Sequence, residues 1–279
     1  MLDKRPLVLI VILILLALAM RFFYDKNLIQ FPKNIIPGKT KTETAFEPLT
    51  VKKTLRIPIL MYHYVEYVTD DRDFIRKSLN ITPYTFESQI KTLKNAGYTI
   101  ITPSDLPKIF EDPKLQDQKY AILSFDDGYK DFYTGAFPIL KRQNVKAVNY
   151  IVYNFIGRLN YMTKSDIKEL AESGLVEIGS HTLNHADLRS IPENIAYNEA
   201  YLSKNDLEKD FGIKVESIAY PWGFYNDKVK KLVKKAGYTT AVTANEGILV
   251  NKYSLYELKR IRAGALTGDD MLKYLDGIK

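Results

Sequence analysis

The chain has 279 residues, 46% of them hydrophobic and 26% charged, a globular balance with room for one large domain and an appendage. The absence of cysteine excludes disulfides and thiolate metal sites. A formal net charge of +7 suits an anionic surface, but the lysines are spread along the chain and no nucleic-acid motif is present, so no nucleic-acid partner is expected.

At the N-terminus, Lys4 and Arg5 precede an unbroken apolar run from Leu7 to Met20, and Phe22, Phe23 and Tyr24 extend it past Arg21. The pattern predicts a membrane anchor or signal segment over residues 1–24, with Lys4 and Arg5 on the cytoplasmic side and the rest of the chain beyond the membrane. The Ala17–Ala19 stretch would serve as a cleavage site, giving a secreted protein. The aromatic cluster after Arg21 favours an uncleaved anchor with the domain at the cell surface. Residues 25–56 are rich in Lys, Thr and Pro and read as a linker. The regular domain is expected over 57–279.

From there strands and helices alternate. Strands are predicted at Ile57–Tyr62, Tyr98–Thr102, Tyr120–Phe125, Lys146–Val152, Val176–Ser180, Ser217–Tyr220, Thr239–Thr243 and Leu258–Ala263. Between them, Thr82 caps a helix that opens on Pro83 and stops at Gly97, and two later segments ending at Gly174 and Gly237 follow the same grammar. The pieces LKNAGYTI (93–100) and VKKAGYTT (233–240) predict one helix-stop-strand turn used twice. This alternation is an α/β pattern with a parallel sheet, either open and doubly wound or closed as a barrel. No glycine-rich nucleotide fingerprint is present, and in both architectures function gathers at the C-terminal ends of the strands.

Asp126 and Asp127 sit at such an end, after the apolar run Tyr120–Phe125. Adjacent carboxylates at the mouth of a buried strand are costly unless something uses them. His181 and His185, four apart beyond another strand end, have a spacing common in metal sites. Two imidazoles and one carboxylate make a three-ligand set with an open position, as in catalytic zinc, and the second carboxylate is then free to accept a proton. His63, the third of three histidines, also follows a strand. Pro221 and Gly223 force a turn around Trp222, the only tryptophan, either as a plug over the core or as the wall of a site.

Together, PILMYHYV, SFDDGY, SHTLNH and AYPWG, in that order, resemble the polysaccharide deacetylases of the NodB-homology type over roughly residues 57–263. The resemblance implies a distorted (β/α) barrel. It implies Asp126 as general base and a divalent metal held by Asp127, His181 and His185. Zinc is expected, and cobalt or nickel also suit His₂Asp. Tyr220, Pro221 and Trp222 would supply an oxyanion-stabilising N–H and a wall of the groove. Two departures stand out. The arginine that often opens the family's third motif is Tyr220 here, and no histidine follows His185 to match the late acid histidine. Members acting on the biofilm polymer poly-β-1,6-N-acetylglucosamine share both departures, which implies His63 as the acid. Arg260, at a late strand, is the candidate to orient the base.

The expected activity is N-deacetylation of an N-acetylglucosamine-containing cell-surface or extracellular glycan, by a monomer, with release of acetate. Alternatives are an O-acetyl glycan esterase using the same groups and an inactive membrane-tethered glycan binder.

Overall fold

A computed structural model describes residues 54–70 and 72–278. The expected membrane segment at 1–24 and most of the linker therefore lie outside the described residues. Among the described residues no helix is long and apolar enough to cross a membrane.

Eight strands build the main sheet: β1 (Ile59–Tyr62), β2 (Thr99–Ile101), β3 (Tyr120–Phe125), β4 (Ala147–Ile151), β5 (Val176–Ser180), β6 (Ser217–Ala219), β7 (Thr240–Glu246) and β8 (Leu258–Arg260). All pair in parallel, in the order β8-β7-β6-β5-β4-β3-β1, with β2 beside the first half of β3. The ends of this order meet. The Met61 N–H donates to the Ile261 carbonyl at 2.9 Å, and the Ile261 N–H donates to that of Ile59 at 2.8 Å. The sheet is thus a nearly closed parallel barrel, distorted where β5 and β6 share one register pair, Ser180 with Ile218.

Strands buried on both faces must be apolar throughout, which is why they read as continuous hydrophobic runs. Side chains alternate along each strand. Ile59, Ile122, Val148, Val242 and Leu258 fill the barrel interior. Leu123, Phe125, Ile151, Ile178 and Ile218 face outward against the helices. Six helices of the outer layer are α1 (Pro83–Asn95), α2 (Phe137–Gln143), α3 (Lys164–Glu172), α4 (Glu193–Phe211), α5 (Asp227–Lys235) and α6 (Gly268–Gly277). Three of them start at the predicted caps. Thr82 Oγ1 accepts from the Thr85 N–H at 3.1 Å, Thr163 and Asp166 form a capping box, and Asn226 accepts from the Val229 N–H at 3.0 Å.

The repeated turn is present at both sites. Gly97 and Gly237 adopt φ of 82° and 90°, and the N–H groups of Tyr98 and Tyr238 close back on Leu93 and Val233. Several boundaries differ from expectation: β1 begins at Ile59 rather than Ile57 and β8 stops at Arg260, short of Ala263. β7 runs on to Glu246, because its polar end leaves the core and still bonds β8. At the other limit, Leu55–Arg56 belong to the domain rather than the linker. They pair antiparallel with Leu249–Val250, and the Arg56 guanidinium donates to the carbonyls of Leu275 and Asp276 in α6.

Candidate active site

The C-terminal ends of the strands surround a cavity of about 560 Å³. Asp126, Asp127, His63, His181, His185, Trp222 and Arg260 all line it, although they come from five separate strand ends.

The two carboxylates part company through backbone geometry. Ser124 and Asp126 are two apart in β3 and its extension, so both face the barrel axis. Asp127 then takes φ 73° and Gly128 φ 78°, which turns the second carboxylate out of the strand line. On the axis Asp126 meets Arg260, which projects from β8 and is 2% exposed. The guanidinium donates to both Asp126 oxygens at 2.7 Å, with further bonds to the Thr243 carbonyl at 2.7 Å and Ser124 Oγ at 3.3 Å. Burial by itself would raise the Asp126 carboxyl; the charge and hydrogen bonds of Arg260 outweigh it and hold the group well below the usual carboxylate range. This planar, two-point grip is the geometry in which arginine fixes a carboxylate most firmly. His63 Nε2 lies 4.0 Å from Oδ2 of Asp126. Its pKa is lowered by burial, with Asp126 opposing and Arg260 and Arg262 reinforcing.

Asp127 faces different neighbours. Its Oδ1 is 3.5 Å from Nε2 of His181 and 3.5 Å from Nε2 of His185. One ligand atom from each of the three residues lies within 4.8 Å of the others. His181 Nδ1 sits 2.8 Å from the Ala219 carbonyl, a bond that requires an Nδ1–H and so leaves Nε2 as a free lone pair. Bonds of 2.0–2.1 Å in tetrahedral array imply ligand–ligand edges of about 3.3 Å, so this donor set fits a small divalent cation. Burial pushes the Asp127 carboxyl up and the His181 and His185 imidazoles down.

His181 and His185 lie beyond the strand end, as expected, and not on a helix. They flank a turn in which Thr182 and His185 have φ of 67° and 59°. Trp222 also has positive φ, 54°, and packs edge-on against His185 with ring centroids 4.4 Å apart. Left-handed backbone at non-glycine residues costs on the order of 1 kcal/mol each and clusters at functional sites. Of the six such residues among those described, Asp127, His185 and Trp222 line the cavity and Thr182 lies in the turn between the histidines.

Tyr220 does not belong to the site. It is fully buried, its hydroxyl donates to the Tyr256 carbonyl at 3.0 Å and its ring stacks on Tyr225, because the strand end turns this side chain into the core. Pro221 is buried beneath the turn as well and only shapes it. Gly223 and Phe224 donate back to Tyr220 and Pro221, and Pro221 has no N–H, which narrows the candidate oxyanion donor to Trp222. A further part of the lining is aromatic and was not anticipated. Tyr129 and Tyr161, with ring centroids 5.0 Å apart, and Phe155 line it. Tyr129 directly follows Asp-Asp-Gly, which was the available signal; Tyr161 lay in a loop with none.

A family model for polysaccharide deacetylases matches residues 114–241. A solved polysaccharide deacetylase from Bacillus cereus is 31% identical, covering 80% of this chain and 69% of its own, with a TM-score of 0.69. The chain belongs to the polysaccharide deacetylase family. The Streptococcus pyogenes deacetylase PplD, solved in complex with acetate, is 29% identical with a TM-score of 0.72, covering 81% of this chain and all of its own. A poly-β-1,6-N-acetyl-D-glucosamine N-deacetylase of Staphylococcus epidermidis is 28% identical over 78% of this chain and 82% of its own. The nearly closed barrel is the polysaccharide deacetylase fold, and the chain is accordingly a hydrolase acting on amide bonds.

Proposed function

We propose that this deacetylase removes acetyl groups from N-acetylglucosamine units of a cell-surface or extracellular polysaccharide, and that it needs a divalent cation. The observation that carries the reading is the pairing of a three-donor cluster, Asp127, His181 and His185, with a separate arginine-clamped carboxylate in one cavity. A cation held by the cluster, most simply zinc, supplies a Lewis acid that polarises the acetyl carbonyl and makes water acidic enough to react near neutral pH.

The remaining work falls to side chains of the chain itself. Asp126, kept ionised by Arg260, accepts a proton from the attacking water. Such a carboxylate is always available but holds a proton weakly. His63, 4.0 Å away, takes the proton on and delivers it to the departing nitrogen. The C–O bond forms, the C–N bond breaks, and the products are acetate and a free amine. The Trp222 N–H supports the oxyanion of the tetrahedral state, and its ring forms one wall of a glycan groove. The Staphylococcus epidermidis relative makes a β-1,6-linked N-acetylglucosamine polymer the first substrate to try. Export to the cell surface is supported by the apolar run from Leu7 to Met20 behind Lys4 and Arg5.

The test is acetate release by the purified domain from β-1,6- and β-1,4-linked N-acetylglucosamine oligomers and from an O-acetylated glycan. Activity on N-acetylated oligomers is expected to vanish with chelator and return with zinc, cobalt or nickel. Turnover indifferent to chelation, or confined to O-acetyl groups, overturns the reading.

A further inference from the structure

One buried carboxylate beside the site has no part in the chemistry above. Asp131 is 8% exposed, and burial pushes its carboxyl up to about 6. A carboxylate in such a place is costly to keep without a partner. Its Oδ2 accepts the Val65 N–H at 2.6 Å, two residues beyond His63. Two further contacts between the same segments reinforce this bond. The rings of Tyr64 and Tyr129 stack with centroids 4.1 Å apart. Residues Phe132–Ala136 form a π-helical turn, which lays Gly135 so close to Val65 that a Cβ there would overlap the Val65 carbonyl oxygen. The loop that begins with Asp126 and Asp127 therefore grips the strand of His63 by a ring, an N–H and a carbonyl. Residues some sixty positions apart are thereby held in fixed relation.

We propose that Asp131 is a positioning residue that sets His63 against Asp126. The inference rests on the proposed role of His63 as acid. Proton transfer from Asp126 needs the present 4.0 Å to close to roughly 3 Å, and a misplacement of about 1 Å can cost about 100-fold in rate.

The decisive experiment is a double-mutant cycle with steady-state kinetics and metal content measured in every variant. Asp131→Ala is expected to lower kcat by about 10- to 100-fold, with KM and bound metal unchanged. Asp131→Asn keeps an acceptor for the Val65 N–H and is expected to recover most of the rate. In a His63→Ala background, Asp131→Ala is expected to cost less than about twofold more, because the group it positions is gone. An unchanged kcat in Asp131→Ala, or an equal loss in both backgrounds, overturns the proposal. If His63→Ala itself leaves turnover intact, the acid role fails first and the positioning role with it, and that outcome is seen before Asp131 is touched. Gly135→Ala presses on Val65 from its carbonyl side, so it serves should Asp131→Ala not fold. Its loss of kcat must likewise disappear without His63.

Discussion

Asp126 lies on the barrel axis clamped by a guanidinium, whereas Asp127, its neighbour in sequence, turns outward to two imidazoles. Burial acts on both carboxyls in the same direction, upward. The outcomes diverge because Arg260 donates to both oxygens of Asp126 and outweighs burial there, while at Asp127 burial wins and the neighbouring Asp126 charge adds to it. A carboxylate with its own cation is a fixed charge; one beside two imidazoles has the donor set that a divalent cation would take. The two halves of the site are therefore built on opposite electrostatic terms, and substitutions can separate them.

The sharpest separation comes from changing each aspartate alone. Asp126→Asn is expected to lower kcat by at least about 10³-fold with the metal retained, the scale on which loss of a positioned base is felt. Asp127→Asn is expected to lose the metal as well as the activity. Metal analysis of the two purified proteins checks both; equal metal loss in the two would erase the distinction.

Next in size is the clamp itself. Arg260→Ala leaves Asp126 buried and uncompensated, which is expected to cost about 3–5 kcal/mol in chemical denaturation at neutral pH. The pH dependence follows from the direction of the shift. In the native protein the Asp126 carboxyl is depressed, so its contribution is present above the unfolded value of about 3.9 and is lost only as pH falls below it. Without Arg260, burial raises the same carboxyl above its unfolded value, so the variant gains stability as pH falls below the new value towards about 3.9. The gap between the two proteins should be widest near neutral pH and narrow in mild acid. A gap that stays constant down to about pH 4 would mean that Asp126 does not feel Arg260.

The smallest effect is expected on the other half. Trp222→Gly relieves the left-handed backbone but removes the ring packed on His185. The two contributions offset, so stability should move by less than about 1 kcal/mol. The catalytic effect should be confined to kcat/KM, at about tenfold or less, as measured on oligomers of increasing length.

Much of this arrangement was legible in the linear chain, for reasons that differ by residue. The strands were visible because a parallel barrel buries both faces, and runs such as Tyr120–Phe125 have to be apolar throughout. Asp126–Asp127 and His181–His185 were visible because each pair is local: one strand end and one turn hold both members. Tyr220 was misassigned because proximity in sequence to Trp222 does not say which side of a strand end faces the cavity. Asp131 passed unnoticed because an acidic residue in a polar turn ordinarily faces water, and only the packing of that turn on Val65 buries it.

Local patterning thus determined the strand-helix alternation, the capped helices and the paired aspartates and histidines, since each depends on contacts within a few residues. The tertiary structure alone decided how His63, Asp126 and Arg260 meet. Arg260 reaches Asp126 only because β8 closes on β1, through Ile261 and its bonds to Ile59 and Met61. Closure of a barrel is a property of strand pairing around the whole ring, and no window of sequence contains it.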